Sequence, residues 1–308
     1  MGFAQLRRRF GRHMPDAPTS PPWFSDALSH RPRHHTVDID GCEIHYRSWG
    51  DPNHPPLMLV HGGAAHSGWW DHIAPLLARQ HHVLAIDLSG HGDSGHRQSY
   101  TLGGWAKEVL TVATSGKSDA RPTIVGHSLG GWIAASVAMR FGDALNGIVV
   151  VDSPLHDSAP ERRELRSRGN PGGYRTRKEI VARFRAVPEQ DTTLAYVAAH
   201  IGAESVRKRD GRWFWKFDPA ISARTQSIDV PAEHEELEYV FSSMFCRIAY
   251  FRCSDGLVSD AMSDQIRGLL QLRGPFVEIA HAGHHPMLDQ PQALVACLRT
   301  LVEMWSIT

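Results

Sequence analysis

The chain has 308 residues, of which 42% are hydrophobic and 21% charged, with 33 Lys plus Arg against 33 Asp plus Glu. That length suits one large domain, or one domain carrying an insertion. The even charge balance excludes the broad field that draws a protein to nucleic acid or an anionic membrane. No apolar run approaches the roughly 18 to 20 residues a spanning helix needs, so no stable membrane insertion is expected.

Residues 1–30 read as a flexible N-terminal extension. "LRRRFGRH" is basic but no apolar segment follows it, so it does not make an export signal. "MPDAPTSPP" is proline-rich and predicts extended or disordered chain, whereas "WFSDALSH", from Trp23, could form a short helix lying on the domain. Four scattered cysteines (Cys42, Cys246, Cys253, Cys297) contain no CxxC pair, which predicts free thiols and a cytoplasmic setting.

"HTVDIDGCEIHYRSWG" is two β-rich runs joined by Asp40-Gly41, a strong hairpin signal. Then come "LMLVHGG", "HVLAIDLSG", "PTIVGHS" and "GIVVVDSP", short apolar runs suited to strands buried on both faces of a parallel sheet. The stretches "DHIAPLLARQ" and "GGWIAASVAMRFGDAL" between them are helical in pattern. Strand alternating with helix predicts an α/β protein with a mostly parallel, doubly wound sheet. Residues 155–243 break the rhythm: they are polar, charged and helix-prone, interrupted by the aromatic "RWFWKFDP". The strands resume with "CRIAYFRCSD" and "PFVEIAHAGHH", and "QPQALVACLRTLVEMW" closes the chain as a helix. The core is therefore expected over 31–154 and 244–308. Residues 155–243 are expected as a helical cap over the carboxyl ends of the strands, where open α/β sheets bind ligands.

Three motifs carry chemistry. Gly126-His127-Ser128-Leu129-Gly130 fits G-x-S-x-G between a predicted strand and a predicted helix, the setting of a nucleophile elbow. The helix opening at Leu129 aims amide N–H groups at any negative charge formed there. "VHGG", at the end of an earlier strand, offers a peptide N–H from Gly63 or Ala64 that could pair with that of Leu129 around an oxyanion. After the serine, an acid should follow a late strand and a histidine the last one; Asp255 in "FRCSDGLVSD" and His284 in "AHAGHHPMLDQP" stand there.

The chain resembles the α/β-hydrolase family with a cap, in that "VHGG", "DLSGHGDSG", "VGHSLGGW", "SDGLVS" and "AGHHPMLDQP" stand in that family's order from about residue 36 to 305. The resemblance implies Ser128 as nucleophile, His284 as base, Asp255 as acid, and Leu129 and Gly63 as oxyanion donors. One departure concerns the acid: the glycine usual just upstream is replaced by Arg252-Cys253. Asp152, closing "GIVVVD", is at the other place where this fold sometimes carries its acid, and Asp260 stands nearer a helix start.

The expected activity is hydrolysis of a small carbonyl compound, a carboxylic ester by default, through an acyl-enzyme and without cofactor or metal. Carbon–carbon cleavage of a diketone or cofactor-free perhydrolysis would use the same residues, and a hydrolase-like ligand receptor is the alternative of another class. "GHGDSG" spells G-x-G-x-x-G, but polar loop rather than helix follows it, which disfavours a dinucleotide site. His285 would pack or meet solvent. "HAGHH" and "HGGAAH" lack the carboxylates and helix context of a metal site. Trp69, Trp70, Trp105 and Trp132 could line an acyl pocket or fill core, and Arg183 and Arg185 could meet an acidic substrate or form a solvated face.

Overall fold

The computed structural model of the protein describes residues 20–155, 172–221, 241, 243, 246–271 and 273–307. Its first helix, α1 (Pro22–Ser29), buries Phe24 and Ala27 against the domain. The part of the predicted extension from Pro22 onward is thus packed helix, while residues 1–19 lie outside the described residues. Strands β1 (Arg33–Ile39) and β2 (Cys42–Trp49) pair antiparallel with Ile39 facing Cys42. The turn between them has positive φ at Asp40 (52°) and Gly41 (73°), the twist that matches flanking strands.

The remaining strands of the sheet are β3 (Pro56–Val60), β4 (His82–Ile86), β5 (Thr123–His127), β6 (Gly147–Val151), β9 (Arg247–Asp255) and β10 (Phe276–Gly283). The order is β1-β2-β4-β3-β5-β6-β9-β10, with every pair from β4 to β10 parallel. From β3 the chain moves to one side to make β4, then crosses to the other to make β5. The carboxyl ends of β3 and β5 therefore flank the point where the winding reverses, which opens a crevice there. Along β3, Leu57 and Leu59 join one core while Met58 and Val60 join the other. The core of Met58 and Val60 takes in α3 (Leu102–Ala113), α4 (Leu129–Phe141) and α7 (Asp260–Leu270); that of Leu57 and Leu59 takes in α2 (Ala74–Leu77) and α8 (Pro291–Ile307). Both faces of the central strands are dry, so these runs are apolar at every position. Each fully buried Leu, Ile or Val contributes about 1.5–3 kcal/mol.

"DHIAPLLARQ" makes less helix than its pattern predicts. A 3₁₀ turn covers Ser67–Trp70 and α2 only Ala74–Leu77, because Pro75 has no N–H to continue a longer helix. Between β6 and β9, the described residues of the insertion form α5 (Arg177–Val181), α6 (Ala195–Glu204) and a hairpin of β7 (Val206–Arg209) and β8 (Arg212–Trp215). The hairpin turns at Asp210-Gly211, both with positive φ, so the aromatic interruption is a strand. Backbone bonds from Gly92 N–H to the Lys216 carbonyl (2.7 Å) and from Asp218 N–H to the Gly90 carbonyl (2.7 Å) fasten the insertion to the loop after β4. The buried Arg47 guanidinium of β2 also reaches from Asp71 (2.6 Å) to Glu204 at the end of α6 (3.1 Å).

Several histidines are packed inside as neutral rings. Burial holds His66 and His91 down to about 3 and His72 to about 4. An unfolded imidazole takes its proton near 6.5, so below that pH the unfolded chain binds protons the folded one refuses. These rings therefore add stability above about pH 6.5 that is lost as pH falls toward 4, at roughly 1 kcal/mol per pH unit for each ring. Urea unfolding at about pH 5 should give a free energy at least about 3 kcal/mol below that at about pH 7.5. Equal values at the two pH values would show that the rings charge in place.

Candidate active site

Ser128 stands between β5 and α4 at φ 54°, ψ −118°, a conformation that costs a non-glycine residue about 1–3 kcal/mol. Hydrogen bonds hold it from both sides. Its N–H donates to the Val151 carbonyl (3.0 Å), and its carbonyl accepts from Ser153 Oγ (2.7 Å) and Gly131 N–H (2.8 Å). The flanking glycines are there for want of room. A Cβ on Gly126 would sit on the Gly130 carbonyl, and one on Gly130 would sit on the Val60 carbonyl at the end of β3. The strand end, the serine and the first turn of α4 are therefore pressed together with the chain leaving β3.

That chain is His61-Gly62-Gly63-Ala64. A Cβ on Gly62 would lie 3.3 Å from the Ser128 Cβ, so the peptides beyond β3 run past the serine. Gly63 is exposed, and Ala64 takes a positive φ of 55°. Leu129 opens α4 and has no helical carbonyl one turn behind it to receive its N–H. Of the two sequence-predicted amide donors, Leu129 directly follows the serine and Gly63 directly follows the glycine packed against it.

His284 follows β10 and is buried; its Nδ1 lies 2.8 Å from Asp152 Oδ2. This corrects the pairing expected from the sequence. Asp255 is exposed at the end of β9, and its carboxylate meets the hydroxyl of Ser254 (3.3 Å). Asp152, fully buried one residue past β6, accepts from Cys253 N–H (3.0 Å) and Leu257 N–H (2.9 Å) besides facing the histidine. The reason lies in the register. Val151 pairs with Phe251, so a side chain just beyond β6 reaches under the loop that ends β9, and a Cβ on Gly256 would collide with that carboxylate. The "CSDGL" segment surrounds an acid instead of supplying one. Asp260 is exposed and pairs with Arg252 (2.6 Å).

Three further groups position His284, none of them singled out in the sequence for this. His127 is buried beside it, and its Nε2–H donates to the His284 carbonyl at 2.7 Å. Burial, then the neighbouring His284, holds His127 well below its ordinary value, so the ring is neutral. Gln190, from the insertion, accepts the His285 N–H on Oε1 (2.9 Å) and donates through Nε2 to Asp289 Oδ2 (2.8 Å). Asp289, whose carboxyl burial pushes up, takes the Gly283 N–H at 2.7 Å. His285 also packs inside, with Nε2 3.0 Å from the Val187 carbonyl.

A cavity of about 270 Å³ adjoins these residues, lined by Gly63, Ala64, Trp69 and His285 and by residues of the insertion, including Phe184 and Trp215. Trp69 is the one tryptophan of the four considered that lines it; Trp70 and Trp105 are core, and Trp132 donates to the Pro154 carbonyl (2.8 Å). Among the described residues two clusters bring metal-ligating atoms within 4.8 Å of one another, His127 with His284 and His285, and His45 with Asp87 and Asp93. Asp87 is instead the anchor of the β4 loop. Burial opposes its charge, but His45 (2.7 Å) and the amides of Ser67 and Asp93 hold its carboxyl well below the usual range. In the "GHGDSG" loop no helix opens at Gly95; α3 begins at Leu102.

A model described as the alpha/beta hydrolase family matches residues 57–296. The chain belongs to this family. Among curated relatives of this α/β hydrolase, the serine hydrolase-like protein of Mus musculus is 31% identical over 113 residues, 36% of this chain and 36% of that protein. The match thus spans about a third of that relative's length. Esterase Rv0045c of Mycobacterium tuberculosis is 27% identical over 270 residues, 83% of this chain and 85% of that one. Among solved structures, E-2-(acetamidomethylene)succinate hydrolase superposes with a TM-score of 0.75 at 19% identity, covering 89% of this chain and 100% of that chain, a likeness of fold. No helix among the described residues is long and apolar enough to cross a membrane.

The Gln190 clamp is testable on its own. Gln190→Ala leaves the His285 N–H and one Asp289 oxygen without these partners, and should lower the unfolding free energy by about 1–3 kcal/mol. Denaturant unfolding measures it, and a midpoint equal to that of the unaltered protein would show that the side chain does not hold the loop.

Proposed function

We propose that this α/β hydrolase is a serine hydrolase of small carboxylic esters, with Ser128 as nucleophile, His284 as general base and Asp152 as the acid that orients the histidine. The reading rests above all on the 2.8 Å contact between His284 Nδ1 and Asp152 Oδ2 in a buried site beside a strained serine. A serine hydroxyl attacks poorly at neutral pH until a base takes its proton. With Asp152 accepting the Nδ1–H, the lone pair of His284 sits on Nε2, the nitrogen that would receive the Ser128 proton. Two backbone amides and the imidazole are directed at the Asp152 carboxylate, which fixes its orientation toward the histidine.

In the proposed reaction Ser128 Oγ bonds to the ester carbonyl carbon as its proton passes to His284. The carbonyl oxygen becomes an oxyanion received by the amides of Leu129 and Gly63, each such donor worth about 3 kcal/mol in the transition state. Collapse expels the alcohol, which takes the proton from His284. Water, deprotonated by the same histidine, then attacks the acyl-enzyme, and the acid leaves with Ser128 restored. The insertion between β6 and β9 serves as the cap over this centre, supported by its wall of the cavity.

A fluorophosphonate should label the protein once, at Ser128, and Ser128→Ala should abolish both labelling and ester turnover. Asp152→Asn should lower kcat about a thousandfold or more on a p-nitrophenyl ester, while Asp255→Asn should stay within about threefold of the unaltered enzyme, as suits an exposed carboxylate. The reverse ranking would return the acid to Asp255.

A further inference from the structure

Two stretches that stand out in the sequence, "RFRAVP" and "RWFWKFDP", have no part in the proposed chemistry, yet both line the cavity described beside it. Among the described residues, Arg183, Arg185 and Lys216 are its charged lining residues and no carboxylate lines it. Lys216 is partly neutralised, its Nζ lying 2.7 Å from Asp93, which is not in the lining. Arg185 donates to the Phe184 carbonyl at 2.8 Å. Arg183 stands 5.6 Å from the ring centre of Tyr174, itself a lining residue, and among the described residues no carboxylate forms an ion pair with it. His66 adds no charge, since burial keeps it neutral. The aromatic rings of Trp69, Phe184 and Trp215 complete an apolar middle section.

The lining brings together the Gly63 and Ala64 peptides that run past Ser128 and the residues Arg183 and Arg185 of the insertion. In a cavity of about 270 Å³ a compact molecule that fills the space meets both sets of residues. The planar fork of arginine matches the two oxygens of a carboxylate, as a hydrolase product or half-ester carries. Resting on the hydrolase reading above, we propose that the substrate is a short ester with a free carboxylate at the end remote from the scissile bond, of the half-ester type. The carboxylate is received by Arg183, with Arg185 and Lys216 adding to the positive field, while the chain between carboxylate and ester lies along the aromatic section.

The test compares p-nitrophenyl hydrogen adipate with its neutral isostere p-nitrophenyl adipamate, which share a leaving group and a length. The expected kcat/KM ratio favours the anion by about tenfold or more and falls as sodium chloride rises from about 0.05 to 0.5 M. Arg183→Gln/Arg185→Gln should bring that ratio close to one; both side chains are exposed, so the variant keeps its fold. In parallel, calorimetry on Ser128→Ala compares binding of monomethyl adipate with methyl adipamate, again expecting the anion to bind about tenfold tighter. A ratio of one or less in both measurements on otherwise unaltered protein overturns the proposal, as does a preference that survives the double substitution. Selective binding of the anion without turnover of either ester upholds it and overturns the hydrolase reading instead.

Discussion

Helix α4 starts closer to the end of β3 than any side chain allows, and the arrangement of the site follows from that approach. Gly126 and Gly130 have backbone carbonyls where a Cβ would be, so the strand, the turn and the helix can touch. The turn between them must then reverse within one residue, which forces Ser128 to a positive φ. Strain of this kind persists only where the surroundings over-determine it. Here the Val151 carbonyl, the Ser153 hydroxyl and the Gly131 amide fix the Ser128 peptide, and β3, β5 and β6 are buried at every position. Packing on both faces of the sheet stabilises the fold by far more than the strained residue costs.

The histidine side is held differently, by loops more than by a strand. His284 meets Asp152 from β6, His127 from β5, and a loop braced by Gln190 and Asp289. Thr192 Oγ1 also donates to Asp289 (2.9 Å) and Leu194 N–H to the Leu288 carbonyl (2.9 Å), so the stretch from Gln190 to Leu194 is bonded to the loop that carries the histidine. The proposed base is therefore positioned jointly by the sheet and the insertion, whereas the proposed nucleophile is fixed by the sheet, the residue after β6 and the first turn of α4.

Much of this was legible in the residues because the signals were local. Doubly buried strands write continuous apolar runs, Asp40-Gly41 writes a hairpin, and the crowding at α4 writes three glycines around Ser128. The acid was not legible, since Asp152 and Asp255 both end apolar strands. Only the register of β6 against β9 decides which carboxylate lies beneath the loop. Four neighbouring tryptophans look alike in sequence, yet Trp69 faces a cavity while Trp70 and Trp105 fill core, a difference made by distant elements. The hairpin in the insertion was a missed local signal: Asp210-Gly211 repeats the dipeptide of the first hairpin, but the charged residues around it mask the alternation.

The "GHGDSG" loop gains a structural meaning from the same contacts. Its peptides pair with the chain leaving β8, through Gly92 to Lys216 and Gly90 to Asp218, and Tyr100 Oη donates to the Asp218 carboxylate at 2.8 Å. Asp87 beneath holds the loop from inside by the amides of Ser67 and Asp93. At Gly92 any side chain would collide with that buried carboxylate, so glycine is needed there for the loop to lie over its anchor. A stretch that spells a phosphate-binding motif thus serves as the seat on which the insertion rests. Since Lys216 follows β8 directly and lines the cavity, the chain that anchors the insertion also brings a cation to the pocket. Its placement relative to Ser128 is set by backbone bonds to the sheet's own loops, which leaves the side chains of the insertion open to vary with the substrate while their positions stay fixed.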